Sequence, residues 1–424
     1  MKNTDRPTDS SACFESNLEK YARLIVESGC NVQQGQELFL TASVETADFA
    51  RLVTRIAYER GARHVTVRYT DEQISRMHYD HCDLAVFETM PEWAAMLNNS
   101  MAREGAAILS IISEDPEIMT GIDPAKAVAN ARASHLACSE FYDALDFGRN
   151  VWCIAGAASS AWARKVFPGV SESEAVAKLW DAIFTTARIG DADPVAAWEE
   201  HRKSFAARTK LLNEQRFDAL RYRNGAGTDF TVGLTDKHLW NGGGDTTQGG
   251  TPFFPNIPTE EVFTTPDRLR ADGAVVSAMP LIHNGTLIDS FSITFRDGKA
   301  VDFSAEQGYD TLKSIIETDE NSCRLGEVAL VPFASPIRET GILFYNTLYD
   351  ENASCHLALG QGFPDCYEGG TEMDAESLFE AGVNKSATHV DFMIGTEDLR
   401  IEGIKADGSV LPIFENGNWA GIFA

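Results

Sequence analysis

His389 and Asp391 stand two residues apart in "ATHVDFMIG" (387–395), where Val390, Phe392 and Ile394 alternate with His389, Asp391 and Met393. Alternate side chains on a strand share a face, so the imidazole and the carboxylate project together, away from the apolar set. A buried carboxylate is costly unless partnered. A metal cation removes that cost, and so does a structural His–Asp hydrogen bond. Three other segments carry similar groups. "YDENASCHLALG" (349–360) holds Glu351 and His356 five residues apart, "NIPTEEVFTTP" (256–266) brackets Glu260 and Glu261 between prolines, and Glu327 opens the apolar run of "RLGEVALVPF" (324–333). Any one of these could be structural. Together, acids and histidines set against apolar backbone point to an oxygen-rich metal site.

Other chemistries find less support. Cys355 directly precedes His356, but adjacent residues of an extended segment face opposite ways, which argues against a Cys–His nucleophile. No G-x-S-x-G occurs. "WNGGGDTTQGG" (240–250) is glycine-rich but lacks the Lys-Ser/Thr of a phosphate loop, and "GAG" (225–227) does not precede a helix. The first of these reads as a mobile loop over a pocket or as a plain connection.

The elements that must position these groups differ between the two halves. "ELFLTAS" (37–43), the amphipathic run 46–62 and "HVTVRYT" (64–70) form a βαβ unit. Strands at 106–113 and 151–157 and helical stretches near 124–147 continue the alternation. The expected fold is an N-terminal α/β domain with a doubly wound, mostly parallel sheet, followed by a β-rich, mostly antiparallel C-terminal domain. After a helical run near 173–212 the chain reads as successive strands, with turns at Asn224-Gly225, Asn284-Gly285 and Asp297-Gly298. The expected divisions are a disordered tail over 1–14, the α/β domain over 15–189 and the catalytic β-rich domain over 190–424.

The 424 residues, 44% hydrophobic and 23% charged, suit a globular chain of two or three domains. No apolar run approaches the roughly 20 residues of a membrane span, and the start lacks the apolar core of a secretory signal, so a cytoplasmic location is expected. The net charge of −27 repels nucleic acid and anionic lipid and favours cationic ligands, a free amino terminus among them. The same balance also serves solubility alone. Eight scattered cysteines without a C-x-x-C pair read as reduced thiols.

"NIPTEEVFTTP", "GEVALVPFASPI", "LYDENASCHLALG", "THVDFMIG" and "PIFENGNWA" resemble, in letters, order and spacing, the thermophilic metallo-aminopeptidase family of aminopeptidase T type, over residues 15–424. The resemblance implies hydrolysis of the amino-terminal residue of short peptides through water activated by two divalent metals, Zn, Co or Mn. It implies Glu261, Glu327, Glu351, His356, His389 and Asp391 as ligands, with Glu327 bridging. Four carboxylates and two neutral imidazoles carry a charge that balances two divalent cations. It also implies a homodimer whose enclosed cavity admits peptides. One position departs: the family has Tyr where this chain has Phe363, leaving Tyr367, with Tyr345 and Tyr349 behind it, to supply a catalytic phenol. His283, another position where Tyr is expected, receives no role. Two alternatives remain open: a mononuclear iron ring-cleaving dioxygenase, which some relatives of this fold resemble, and a non-catalytic relative.

Overall fold

The computed structural model describes residues 9–424. Its N-terminal sheet has five parallel strands, in the order Asn256–Ile257, Trp152–Gly156, Ala107–Ile112, Glu37–Ser43, His64–Thr70. Alternation along Glu37–Ser43 sends Leu38, Leu40 and Ala42 into one apolar layer and Phe39 into another, so both faces are covered. The helix Ala47–Arg60 buries Phe49, Ala50, Val53, Ile56 and Ala57, a stripe at helical spacing. Gly61 ends it at φ 102°, a left-handed conformation suited to glycine.

The expected tail divides. Residues 1–8 lie outside the described residues, and a helix spans Asp9–Leu24. Phe14 gives that helix a reason to form, since its ring meets Trp180 and Phe184 at 6.1 and 5.8 Å. The expected helical run 173–212 is two helices, Glu172–Thr186 and Pro194–Gln215, parted by the Asp-Ala-Asp-Pro stretch that caps the second. The expected boundary at 189/190 falls in that connection. The parallel sheet nevertheless takes its fifth strand, Asn256–Ile257, from beyond it.

The C-terminal half holds a nine-stranded and a five-stranded antiparallel sheet around a shared apolar core. Asn284-Gly285 and Asp297-Gly298 are two-residue hairpin turns with positive φ at both residues. Asn224-Gly225 is not such a turn. The loop is longer, Asn224 Oδ1 accepts the Ala226 and Thr228 amides, and positive φ falls at Gly227 instead. The glycine-rich stretch 240–250 is neither a free lid nor a plain connection: Asn241–Gly242 is the edge strand of the five-stranded sheet, paired with Val262 and Phe263. No helix among the described residues is long and apolar enough to cross a membrane.

Candidate metal centre

The five-stranded sheet runs in the order His389–Met393, His356–Gly360, Leu325–Leu330, Val262–Thr264, Asn241–Gly242. Its strands bury one face in the C-terminal core, through Val390 and Phe392, Leu357 and Leu359, and Leu325, Val328 and Leu330. The opposite face carries His389, Asp391, His356 and Glu327. Register explains the room they have. Gly360 pairs with His389 and Ala358 with Asp391, so small residues lie across from large polar ones.

A bulge between Leu325 and Glu327 lets Leu325 and Val328 share the core face while Glu327 turns to the other. Gly326 sits in the bulge, where an added Cβ would lie 2.1 Å from the Gln361 carbonyl oxygen. That same carbonyl accepts the His389 Nδ1–H at 2.7 Å. His356 Nδ1–H likewise donates to the Glu351 and Ser354 carbonyls, at 3.0 and 3.1 Å. With Nδ1 committed to the backbone, both imidazoles turn Nε2 towards the carboxylates, the orientation a metal-binding histidine needs.

Two groups of potential ligands result: Glu261, Glu327 and His356, and Glu327, His389 and Asp391. Within the first, His356 Nε2 is 3.3 Å from Glu261 and 3.9 Å from Glu327. Within the second, His389 Nε2 is 3.1 Å from Glu327 and 3.2 Å from Asp391. Glu327 belongs to both, reaching one histidine with each oxygen. Glu351, at the end of the helix Thr347–Glu351, is outside these compact groups but close enough for the charges of Asp391, Glu261 and Glu327 to act on it. Its segment is anchored in the N-terminal core. Trp162 Nε1 donates to the Phe344 carbonyl at 2.6 Å, and Tyr349 stacks on Phe344. The site therefore lies where the two halves meet.

The crowding shifts the titration of these groups. Burial, reinforced by the Asp391 and Glu261 charges, pushes the Glu351 carboxyl well up. Burial raises Glu327 to about 7, against the pull of His389. Burial alone would lower both imidazoles, but Glu261 and Glu327 outweigh it at His356, and Asp391 and Glu327 at His389, so both rise. Burial acts to raise Asp391, yet His389 pulls it below the usual range. Asp391 Oδ1 is buried and forms no well-aligned hydrogen bond, although His389 Nε2 lies 3.2 Å from it. A largely buried cage of carboxylates, with one buried oxygen lacking a well-aligned hydrogen bond and two imidazoles aimed inward, fits divalent cations.

Glu260 points away from this cage, as neighbouring residues of an extended segment do. Its carboxylate meets Arg188 Nη1 at 2.7 Å, with His201 Nε2 3.6 Å away. Phe363 is beside the cage, its ring centroid 4.9 Å from that of His389 and 5.5 Å from that of Phe263. The tyrosines considered as substitutes are placed elsewhere. The Tyr367 hydroxyl is 3.5 Å from Asp236, and its ring packs with Leu378 and Val383. Tyr349 is buried against Gly156 and Trp162, and Tyr345 lies under Lys165. Tyr367 thus does not join the residues it was expected to serve. His283 pairs with Asn284 on its own hairpin.

The supporting residues were not apparent in the sequence. Arg188 carries no motif, and a backbone carbonyl such as that of Gln361 leaves no compositional trace. Asn352 alone had a signal, as the neighbour of Glu351.

The model of the thermophilic metalloprotease (M29) family matches residues 14–419. Aminopeptidase AmpS of Bacillus subtilis (strain 168) is 46% identical over 407 residues, covering 96% of this chain and 99% of that one. The solved structure of wild-type AmpT from Thermus thermophilus superposes with a TM-score of 0.90 at 40% identity, covering 96% of this chain and 100% of that one. The 2,5-dihydroxypyridine dioxygenase of Pseudomonas putida KT2440 has a TM-score of 0.53 at 12% identity over 98% of this chain and 99% of that one, a likeness of fold alone. With a family match along nearly its whole length, and a two-part fold that agrees with a solved relative, the chain belongs to the thermophilic metalloprotease (M29) family.

Proposed function

We propose that this metallo-aminopeptidase removes the amino-terminal residue from short peptides, using two divalent cations held by Glu261, Glu327, Glu351, His356, His389 and Asp391. The observation that carries the reading is the membership of Glu327 in both three-ligand groups, the arrangement that two neighbouring cations require of a shared carboxylate. Bound there, divalent cations supply Lewis acidity towards a peptide carbonyl and a water acidic enough to ionise near neutral pH. The chain's own residues set the orientation. Backbone carbonyls lock both imidazoles, and the bulge at Gly326 aims Glu327. Phe363 and Phe263 form an apolar wall beside His389 that suits a hydrophobic amino-terminal side chain. The carboxylate of Glu260 is engaged by Arg188, so the proton passed to the leaving amine is not assigned to it.

A cytoplasmic location and a homodimer form part of this reading. A single-iron dioxygenase would leave Glu261 and Glu351 without a task, and nothing specific to this site favours it.

The test is an aminoacyl-anilide panel on chelator-stripped protein refilled with Co, Zn or Mn. Leu-, Phe- and Arg-anilides should be hydrolysed after refilling, lost again with chelator and unaffected by thiol alkylation. Alkylation-sensitive turnover, or none with any metal, would reject the proposal.

A further inference from the structure

Asn352 is fully buried and makes three side-chain contacts. Its Oδ1 accepts the Glu260 backbone N–H at 2.7 Å. Its Nδ2 donates to the Leu348 carbonyl at 2.9 Å and to Glu351 Oε1 at 3.3 Å. The partners fix the amide's orientation. A flipped side chain would set NH2 against the Glu260 N–H and oxygen against both the Leu348 carbonyl and the Glu351 carboxylate.

We propose that Asn352 is a positioning residue that holds Glu261 and Glu351, from two separate segments, in the arrangement that receives the cations. The proposal rests on the reading of Glu261 and Glu351 as ligands. The segment before Glu261 is clamped at consecutive points. His201 Nε2–H donates to the Thr259 carbonyl at 2.9 Å, Asn352 takes the Glu260 amide, and Arg188 holds the Glu260 side chain. The Thr259–Glu260 peptide plane, one residue before Glu261, is thereby fixed. On its other side the same side-chain amide donates to the Glu351 carboxyl. Asn352 bonds both segments from outside the proposed ligand set, whereas His356, which also spans them through the Glu351 carbonyl and the Glu261 carboxylate, is itself a proposed ligand; cutting Asn352 therefore loosens the pair without removing a ligand. Its own carbonyl is held by Ser335 Oγ at 3.0 Å, a contact that touches neither proposed ligand.

The test compares Asn352→Ala with Ser335→Ala in full-length protein, stripped and refilled with cobalt. Affinity is read by competition with a chromophoric chelator, coordination by the visible cobalt spectrum, and folding by circular dichroism. Supporting partners of metal ligands commonly account for about 10–100-fold in metal affinity. Asn352→Ala should bind at least one cobalt about 10–100-fold more weakly, with an altered spectrum, at temperatures where it is folded. Ser335→Ala, which loses a helix cap, should melt earlier yet bind cobalt as wild type does. If Asn352→Ala fails to fold, Asn352→Ser is measured in its place and should show the same weakening. Wild-type affinity and spectrum in the Asn352 variant would overturn the proposal, as would equal weakening in Ser335→Ala. Wild-type protein that binds no cobalt would instead remove the metal-centre reading and this proposal with it.

Discussion

Replacing Arg188 by Met tests whether Glu260 is a structural counter-ion. The change leaves the Glu260 carboxylate, 5% exposed, without its cation. Breaking a buried ion pair from one side costs about 3–5 kcal/mol. Two features place this case at the low end. Arg188 retains 21% side-chain exposure, and His201 Nε2 is 3.6 Å from the other carboxylate oxygen. Burial and then the Arg188 charge now hold His201 down at about 3, so removing Arg188 frees it to take up part of the compensation. About 3 kcal/mol is therefore expected. An unfolding entropy of about 2.1 cal/mol/K per residue gives roughly 0.9 kcal/mol/K for 424 residues, so Tm should fall by about 3 °C near pH 8. The pH dependence has a definite sign. Burial already raises the Glu260 carboxyl, and losing Arg188 raises it further. An acid raised in the folded state destabilises as pH climbs above its unfolded value of about 4.3, and costs nothing below it. The deficit should thus shrink towards pH 5. Calorimetry at matched scan rates on Arg188→Met, Glu260→Gln and the double variant measures it. The double variant should recover most of the loss. A single-variant cost below about 1 kcal/mol at pH 8, or no recovery in the double, would refute the reasoning.

Two further outcomes follow from the charges. Burial shifts Glu327 and Glu351 towards their protonated forms, and neighbouring carboxylates outweigh burial to do the same for His356 and His389, so filling the stripped site should release protons and tighten as pH rises through neutrality. Titration calorimetry in buffers of different ionisation enthalpy counts them, and zero release would contradict the cage described. Glu72 is raised to about 7 by burial, against the Asp115 amide and with the Glu114 charge adding to it. The folded protein keeps this proton up to about 7 while the unfolded chain loses it near 4.5, so stability falls as pH climbs between the two, and Glu72→Gln should add about 1–2 kcal/mol at pH 8, allowing for partial exposure, and little at pH 5. Equal effects at the two pH values would show that Glu72 is not perturbed in the folded protein.

Much of the site was legible because strands impose a period of two. That rule alone puts His389 beside Asp391 and Glu260 opposite Glu261. It reaches Glu327 only with the bulge at Gly326, which shifts the period locally and has no signature beyond a glycine. Asn284-Gly285 and Asp297-Gly298 behaved as their dipeptides imply. Asn224-Gly225 did not, because the Asn224 side chain captured backbone amides and lengthened the loop. Long-range packing was the least legible part. Nothing near residue 351 announces that Phe344 and Tyr349 will dock into the N-terminal core, or that Asn256–Ile257 will complete the parallel sheet. Tyr367 was drawn to the site by proximity in sequence to Phe363, but the intervening turn Pro364–Cys366 carries it to Asp236.

The central claim of the proposed function is that Glu327 is shared by the two ligand groups that would hold the cations. Elemental analysis of stripped, cobalt-refilled and desalted protein, beside Glu261→Gln and Glu327→Gln, tests it most directly. Two cobalt ions per chain in wild type, one in Glu261→Gln and fewer than one in Glu327→Gln are predicted. A single ion in wild type, or two retained in Glu327→Gln, would contradict it.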